Sequence, residues 1–143
     1  KTPFTIWANK AFTCIMQNFW LRLLCMSFLL FLCLYWMDSP YLKTYNTWRI
    51  DPASFITHFV FFGTGWLLYR TNSLENLKQY PILQISIAVL LFFISTFSPW
   101  LDDVWFLITK LALTAIYSNL FIFGLIAFFL TYFNSWRNRL WTI

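Results

Sequence analysis

Four apolar blocks, separated by breaks that each carry a proline, limit what this chain can fold into. They run over Phe19–Met37, Phe55–Tyr69, Ile82–Phe97 and Val104–Phe133, with Arg22 near the start of the first and Lys110 inside the fourth. A hydrocarbon core about 30 Å thick takes roughly 20 apolar helical residues, within a range of about 17–25. The first block fits that length. The second and third are short, and flanking Trp and Tyr extend them to the headgroups. The fourth is long enough to cross with tilt, or else its first turns lie at the interface and the span begins near Leu111. Backbone groups in lipid must bond within the protein, which leaves helices and closed barrels. No block alternates as a barrel strand does. The expected fold class is therefore all-α, a polytopic helical membrane protein with about four transmembrane helices near 19–37, 55–69, 82–97 and 107–133.

Composition agrees, since only 10% of residues are charged and 60% are hydrophobic. Soluble domains carry about 25% charged residues, so this chain has too few to cover a globular surface. The net charge of +5 is spread singly between apolar blocks. Without a basic stripe, nucleic acid is excluded as a partner. Cys14, Cys25 and Cys33 are odd in number and irregular in spacing, so they read as small hydrophobes and not as a disulfide framework. No metal site is expected, because His58 is the only histidine and no Cys-x-x-Cys occurs. A start at Lys1 and a stop at Ile143, just after a basic stretch, suggest a segment of a longer membrane domain.

The breaks carry local signals. Asp38-Ser39-Pro40 ends the first helix, Asp51-Pro52 opens the second, Tyr80-Pro81 opens the third and Ser98-Pro99 closes it. Asn72 and Glu75 have capping-box spacing, which predicts a short interfacial turn over Ser73–Gln79. Before the first block, Phe4, Trp7, Ala8, Ala11, Phe12, Ile15 and Phe19 fall on one helical face, opposite Thr5, Asn9, Lys10 and Thr13. This reads as an N-terminal amphipathic helix on the membrane, with a packed loop as the alternative.

With four spans, Lys1, Lys10, Arg22, Arg70, Lys78, Arg137 and Arg139 share one side with Glu75, and Lys43 and Arg49 share the other with Asp38, Asp51, Asp102 and Asp103. The positive-inside rule then puts both ends in the cytoplasm.

Candidate chemistry is sparse. Gly63-Thr64-Gly65 lacks the third glycine of a dinucleotide fingerprint, Leu68 standing there, and no Gly-Lys-Ser/Thr follows for a phosphate loop. Gly63, Gly65 and Gly124 read instead as helix-packing positions. His58 and Lys110 are the polar pocket candidates. His58 is either an interfacial structural residue or a membrane functional one, and Lys110 either snorkels toward Asp102 and Asp103 or lines a pocket. Thr114, Tyr117 and Ser118 form a polar stripe suited to interhelical hydrogen bonds or to a substrate path. Arg70, Lys78, Arg137 and Arg139 form a basic rim that meets lipid headgroups or attracts an anionic donor such as acyl-CoA. No catalytic Ser-His-Asp set or intramembrane carboxylate pair is identifiable.

The stretch Phe59-Val60-Phe61-Phe62-Gly63-Thr64-Gly65-Trp66-Leu67-Leu68 resembles the FFxxGWLL span of the membrane acyltransferase-3 family, in particular its O-acyltransferase-like branch containing glucan biosynthesis protein C. Phe123-Gly124-Leu125-Ile126-Ala127-Phe128-Phe129, Tyr132-Phe133 and Trp136-Arg137-Asn138-Arg139 resemble the span and basic turn before that family's last helix. The resemblance covers residues 50–143. It implies the C-terminal middle portion of a bacterial inner-membrane enzyme that moves an acyl group from a cytoplasmic donor, acyl-CoA being the co-substrate, to a glycan or other small-molecule hydroxyl acceptor. The remaining helices of the parent and the lipid bilayer would be its partners. The family's catalytic histidine lies outside this chain, and His58 does not match its motif. A small transporter subunit and a non-enzymatic scaffold are the rival readings.

Overall fold

A computed structural model of the chain describes residues 3–37, 52–97 and 104–133. Its elements are α1 (Pro3–Gln17), α2 (Phe19–Trp36), α3 (Pro52–Arg70), a 3₁₀ turn (Ser73–Lys78), α4 (Pro81–Phe97), α5 (Val104–Phe128) and a π turn (Phe129–Phe133). No strand occurs among the described residues. The expected helix-ending signals Asp38-Ser39-Pro40 and Ser98-Pro99, the Asp51 cap, and the loop charges Lys1, Lys43, Arg49, Asp102 and Asp103 lie outside the described residues.

Three helices begin on proline: Pro3, Pro52 and Pro81. At the first helical position a proline loses no hydrogen bond and already has helical φ. The division between α1 and α2 is made by Asn18, whose φ of −96° and ψ of 115° leave the helical region. Its side-chain Oδ1 accepts from the backbone N–H groups of Trp20 at 3.1 Å and Leu21 at 3.4 Å. The N-terminal stretch is thus a separate helix and not a packed loop. Phe12, Ile15 and Met16 face the bundle, while Trp7, expected on the same apolar face, is exposed.

The capping box expected at Asn72 and Glu75 does not form. Asn72 takes the left-handed conformation, φ 52°, with no capping bond from its side chain. Its N–H bonds the Tyr69 carbonyl at 3.2 Å, so it ends α3 instead of starting the next turn. Asn tolerates this conformation better than other residues with a β-carbon. Glu75 turns to Lys78, with which it forms an ion pair.

Side-chain pairs give the topology. Arg22 meets Phe123, Ser27 meets Asn119, and Leu30 and Leu34 pack with Leu111 and Ala115, so α2 and α5 are antiparallel. Met37 meets Thr57, and Met26 shares a cluster with Leu68, so α3 returns along α2. Gly124 meets Gln84 and Ile85, and Phe92 meets Tyr117, so α4 runs back along α5. The helices thus form an antiparallel row, α3–α2–α5–α4. Helix α1 and the 3₁₀ turn close one end of it, over a cluster of Met16, Met26, Leu68, Leu77 and Phe123.

Two helical stretches, Phe19–Trp36 and Leu107–Phe133, are both long and apolar enough to cross a membrane. Helix α3 has 19 residues, but Thr57, His58, Gly63, Thr64 and Gly65 dilute its apolar character. Helix α4 is apolar but only 17 residues long. These two supply the difference from the four spans expected.

Close packing through glycine occurs at one of the three expected positions. A Cβ on Gly124 would lie 2.9 Å from Ile85 Cγ1 and 3.1 Å from Gln84 Cβ, so its neighbour is α4 and not the glycine pair of α3. At Gly63 and Gly65 a Cβ would meet nothing within 4 Å. Gly124→Ala should therefore overpack the α4–α5 seam at about 1–3 kcal/mol, more than the helix-propensity gain of about 1 kcal/mol. Gly63→Ala and Gly65→Ala should be neutral or stabilising. Thermal unfolding of the three variants checks this, and equal responses at all three positions would contradict the packing.

Candidate functional site

The site begins with Asn18. By breaking the helix there it folds α1 back over the first turn of α2 and the 3₁₀ turn, and Arg22 is enclosed beneath them. Arg22 is 1% exposed, the largest of the fully buried side chains. Its Nη1 donates to the carbonyls of Met16 and Asn76, each at 3.4 Å. The guanidinium carbon lies 5.6 Å from the Phe19 ring centre and 5.4 Å from that of Phe123, within range for cation–π attraction. Nη2 is buried with no hydrogen-bond partner among the described residues.

Four elements therefore meet on one cation: the end of α1, the start of α2, the 3₁₀ turn and α5. No carboxylate among the described residues joins them. Glu75 is the one acid among the described residues, and it pairs with Lys78. An arginine stays charged in any protein environment and presents five donors in a fixed fork. Here two carbonyl contacts and two ring faces offset that charge only in part.

Further polar bonds tie the elements at this end together. Thr71 donates its hydroxyl to the Leu67 carbonyl at 2.8 Å, which leaves Ser73 to donate to Thr71 Oγ1 at 2.7 Å. Gln79 Nε2 reaches the Gln17 carbonyl at 3.3 Å, and buried Gln84 donates to the Gln79 carbonyl. These bonds tie the 3₁₀ turn to α1 and to the start of α4. Deeper in the bundle, buried Asn119 donates from Nδ2 to the Ala115 carbonyl at 3.0 Å and to Ser27 Oγ at 3.4 Å.

The residues singled out by sequence lie elsewhere or play other parts. His58 is exposed on α3 and turns its Nδ1 back to the Ser54 carbonyl at 2.7 Å, a contact within its own helix. Lys110 is half-buried on α5, next to Leu111 in the half of the bundle away from Arg22. Of the basic rim, Arg70 is exposed and stacks on Trp66 at 5.0 Å, Lys78 is held by Glu75, and Arg137 and Arg139 lie outside the described residues. Thr114 is buried, whereas Tyr117 and Ser118 line an apolar groove of about 370 Å³ between α4 and α5. Among the described residues no three His, Cys, Asp or Glu side chains gather as metal ligands.

Sequence reasoning counted Arg22 as one more orienting charge. The missed signal was Asn18, an N-cap residue lying between two helix-periodic stretches, which brings the arginine under the chain that precedes it. Comparison with protein-family models, curated proteins and solved structures finds no match to this chain.

The Ser27–Asn119 bond should couple α2 to α5. A double-mutant cycle of Ser27→Ala and Asn119→Ala should give a coupling of about 0.5–1.5 kcal/mol, the range for interhelical hydrogen bonds. Unfolding in mixed micelles measures it, and strictly additive effects would show that the bond contributes nothing.

Proposed function

We propose that the chain is a membrane-embedded four-helix unit, with the α1 end of the row in the cytoplasm, and that it serves as scaffold within an inner-membrane acyltransferase. The observation that carries the membrane reading is where the exposed side chains fall. Only 33% of the Phe19–Trp36 span and 39% of the apolar window in Leu107–Phe133 are buried, far less than in the core helix of a soluble protein. Leu24, Phe28, Phe59, Phe62, Leu90 and Phe93 project outward along the middle of the row. An apolar surface of this extent needs an apolar solvent. Exposed aromatics with polar tips mark both ends, Trp20, Trp66, Tyr69 and Tyr80 at one and Tyr35 and Trp36 at the other. Trp20 and Trp36 stand about 24 Å apart along α2, suited to a core of about 30 Å whose edges the indoles reach. On this reading α3 and α4 also cross, extended by their terminal aromatics.

Orientation follows from the cations gathered at the α1 end, Lys10, Arg22, Arg70 and Lys78. Acyl transfer is supported by the resemblance of the Phe61–Leu68 stretch, which lies on α3, and by a basic end suited to an anionic thioester donor such as acyl-CoA. The reacting groups would come from other helices of the parent protein, with a glycan or other hydroxyl as acceptor.

Two experiments test these levels separately. In a background lacking Cys14, Cys25 and Cys33, a cysteine at exposed Glu75 should react with an impermeant maleimide only after permeabilisation. One at Asn46, outside the described residues, should react in intact cells. The reverse pattern would overturn the orientation, and free reaction at both sites would overturn the membrane placement. Membranes carrying the full gene product should transfer radiolabel from acyl-CoA to a glycan acceptor, and Arg70→Glu should lower that transfer about tenfold, the size of one lost charge contact. Labelling no greater than in membranes without the gene would overturn the acyltransferase reading.

A further inference from the structure

Arg22 is the most expensive group in the described chain to leave as it stands. A buried cation needs pairing, and leaving one partly satisfied costs several kcal/mol in proteins generally. Both of its hydrogen bonds are long, at 3.4 Å, and both go to neutral carbonyls. Nη2 has no partner, and the sole described acid is engaged with Lys78. Asp38, Asp51, Asp102 and Asp103 adjoin, in sequence, the helix ends opposite Arg22. The surroundings fix the guanidinium plane between ring faces while leaving one edge of the fork unused.

We propose that Arg22 is the receptor for an oxyanion, a phosphate group of the kind carried by anionic lipid headgroups or free in the cytosol. A route lies on the neighbouring face of α1. A groove of about 450 Å³, not lined by Arg22 and more apolar than polar in its wall, runs past Ile6 and Cys14 and carries Asn9, Lys10, Thr13, Gln17 and, across from them, Thr71. It passes Gln17, next in the chain to the Met16 carbonyl that Arg22 holds. An anion entering there meets the Lys10 ammonium first. Arg22 is 1% exposed, so α1 must shift to admit the anion to the unused Nη2 edge, where a bond charged on both partners is shorter and stronger than one to a neutral carbonyl. The amides and hydroxyls of the groove suit the neutral remainder of a headgroup. A guanidinium is the side chain for this task because its fork matches two oxygens of one phosphate. The proposal goes beyond the acyltransferase reading and holds for either orientation in the membrane.

The test uses the whole chain, stripped of lipid in a nonionic, phosphate-free detergent. Thermal unfolding is followed with inorganic phosphate, with short-chain phosphatidylglycerol, with phosphatidylcholine of the same chain length, and with sodium chloride at matched ionic strength. Phosphate or phosphatidylglycerol should raise the midpoint by about 5–10 °C at a hundredfold excess over its dissociation constant. Phosphatidylcholine and chloride should not. A response to phosphatidylglycerol alone identifies the headgroup as the source, and a response to phosphate identifies a soluble oxyanion. The rise should persist in Arg70→Gln, vanish in Arg22→Gln and require at least fivefold more anion in Arg22→Lys, which keeps the charge and loses the fork. No rise in the wild type, an equal rise in Arg22→Gln, or unchanged affinity in Arg22→Lys would each overturn the proposal. The wild-type and Arg22→Lys arms decide it even where Arg22→Gln does not fold.

Discussion

Enclosing one guanidinium organises this end of the molecule. Arg22 enters four residues after the Asn18 break, and its contacts reach Met16 behind it, Asn76 some fifty residues ahead and Phe123 on the last helix. Each contact fixes an element that would otherwise have little reason to be there. The 3₁₀ turn is only six residues long, too short to be stable alone, and it is held by the Asn76 carbonyl on one side and by Leu77 in the apolar cluster on the other. Helix α1 is 15 residues long, near the margin for an isolated helix, and lies on the same cluster through Phe12, Ile15 and Met16. Polar satisfaction and apolar burial thus act on the same four elements.

The rest of the row hangs on α5. Its small buried positions, Ala115, Gly124 and Ala127, let α2 approach one flank and α4 the other. In the proposed lipid setting apolar helices gain nothing from the hydrophobic effect on association, so close packing and interhelical hydrogen bonds would carry it. The Gly124 contact and the Asn119–Ser27 bond are one of each kind, on the same helix. At the α1 end the cluster of Met16, Met26, Leu68, Leu77 and Phe123 adds apolar burial to these terms.

The helices were legible because a block of apolar residues opened by proline has few alternatives, and Pro52 and Pro81 place two starts to the residue. What one residue does at a distance was not legible. Gly63, Gly65 and Gly124 look equivalent as letters, but only Gly124 falls where a neighbouring backbone comes close, and that depends on α4 lying beside α5. Asn72 reads equally well as a cap or as a left-handed helix end, and the competition was settled by the chain having to leave α3 sharply at Arg70. Arg22 reads as an interfacial charge until α1 is known to fold over it. His58 drew attention for its chemistry, but its ring is exposed on α3 with Nδ1 bonded to the Ser54 carbonyl of its own helix, apart from the Arg22 site.

Three buried polar atoms lack a partner among the described residues: Arg22 Nη2, Thr114 Oγ1 and Thr131 Oγ1. They are not equal. A buried hydroxyl without a partner costs about 1–3 kcal/mol, and a threonine in a helix can relieve that by turning to the carbonyl one turn back. Thr57 and Thr64 do so, at 2.8 Å each. A guanidinium has no such local remedy, because it carries a charge as well as donors and only an opposite charge offsets it fully. Among the described residues the neutral hydroxyls can be satisfied by rotation, whereas none supplies the arginine with a counter-charge. The proposed anion would supply the one counter-charge that this site lacks among the described residues, alongside the part Arg22 plays in holding four elements together.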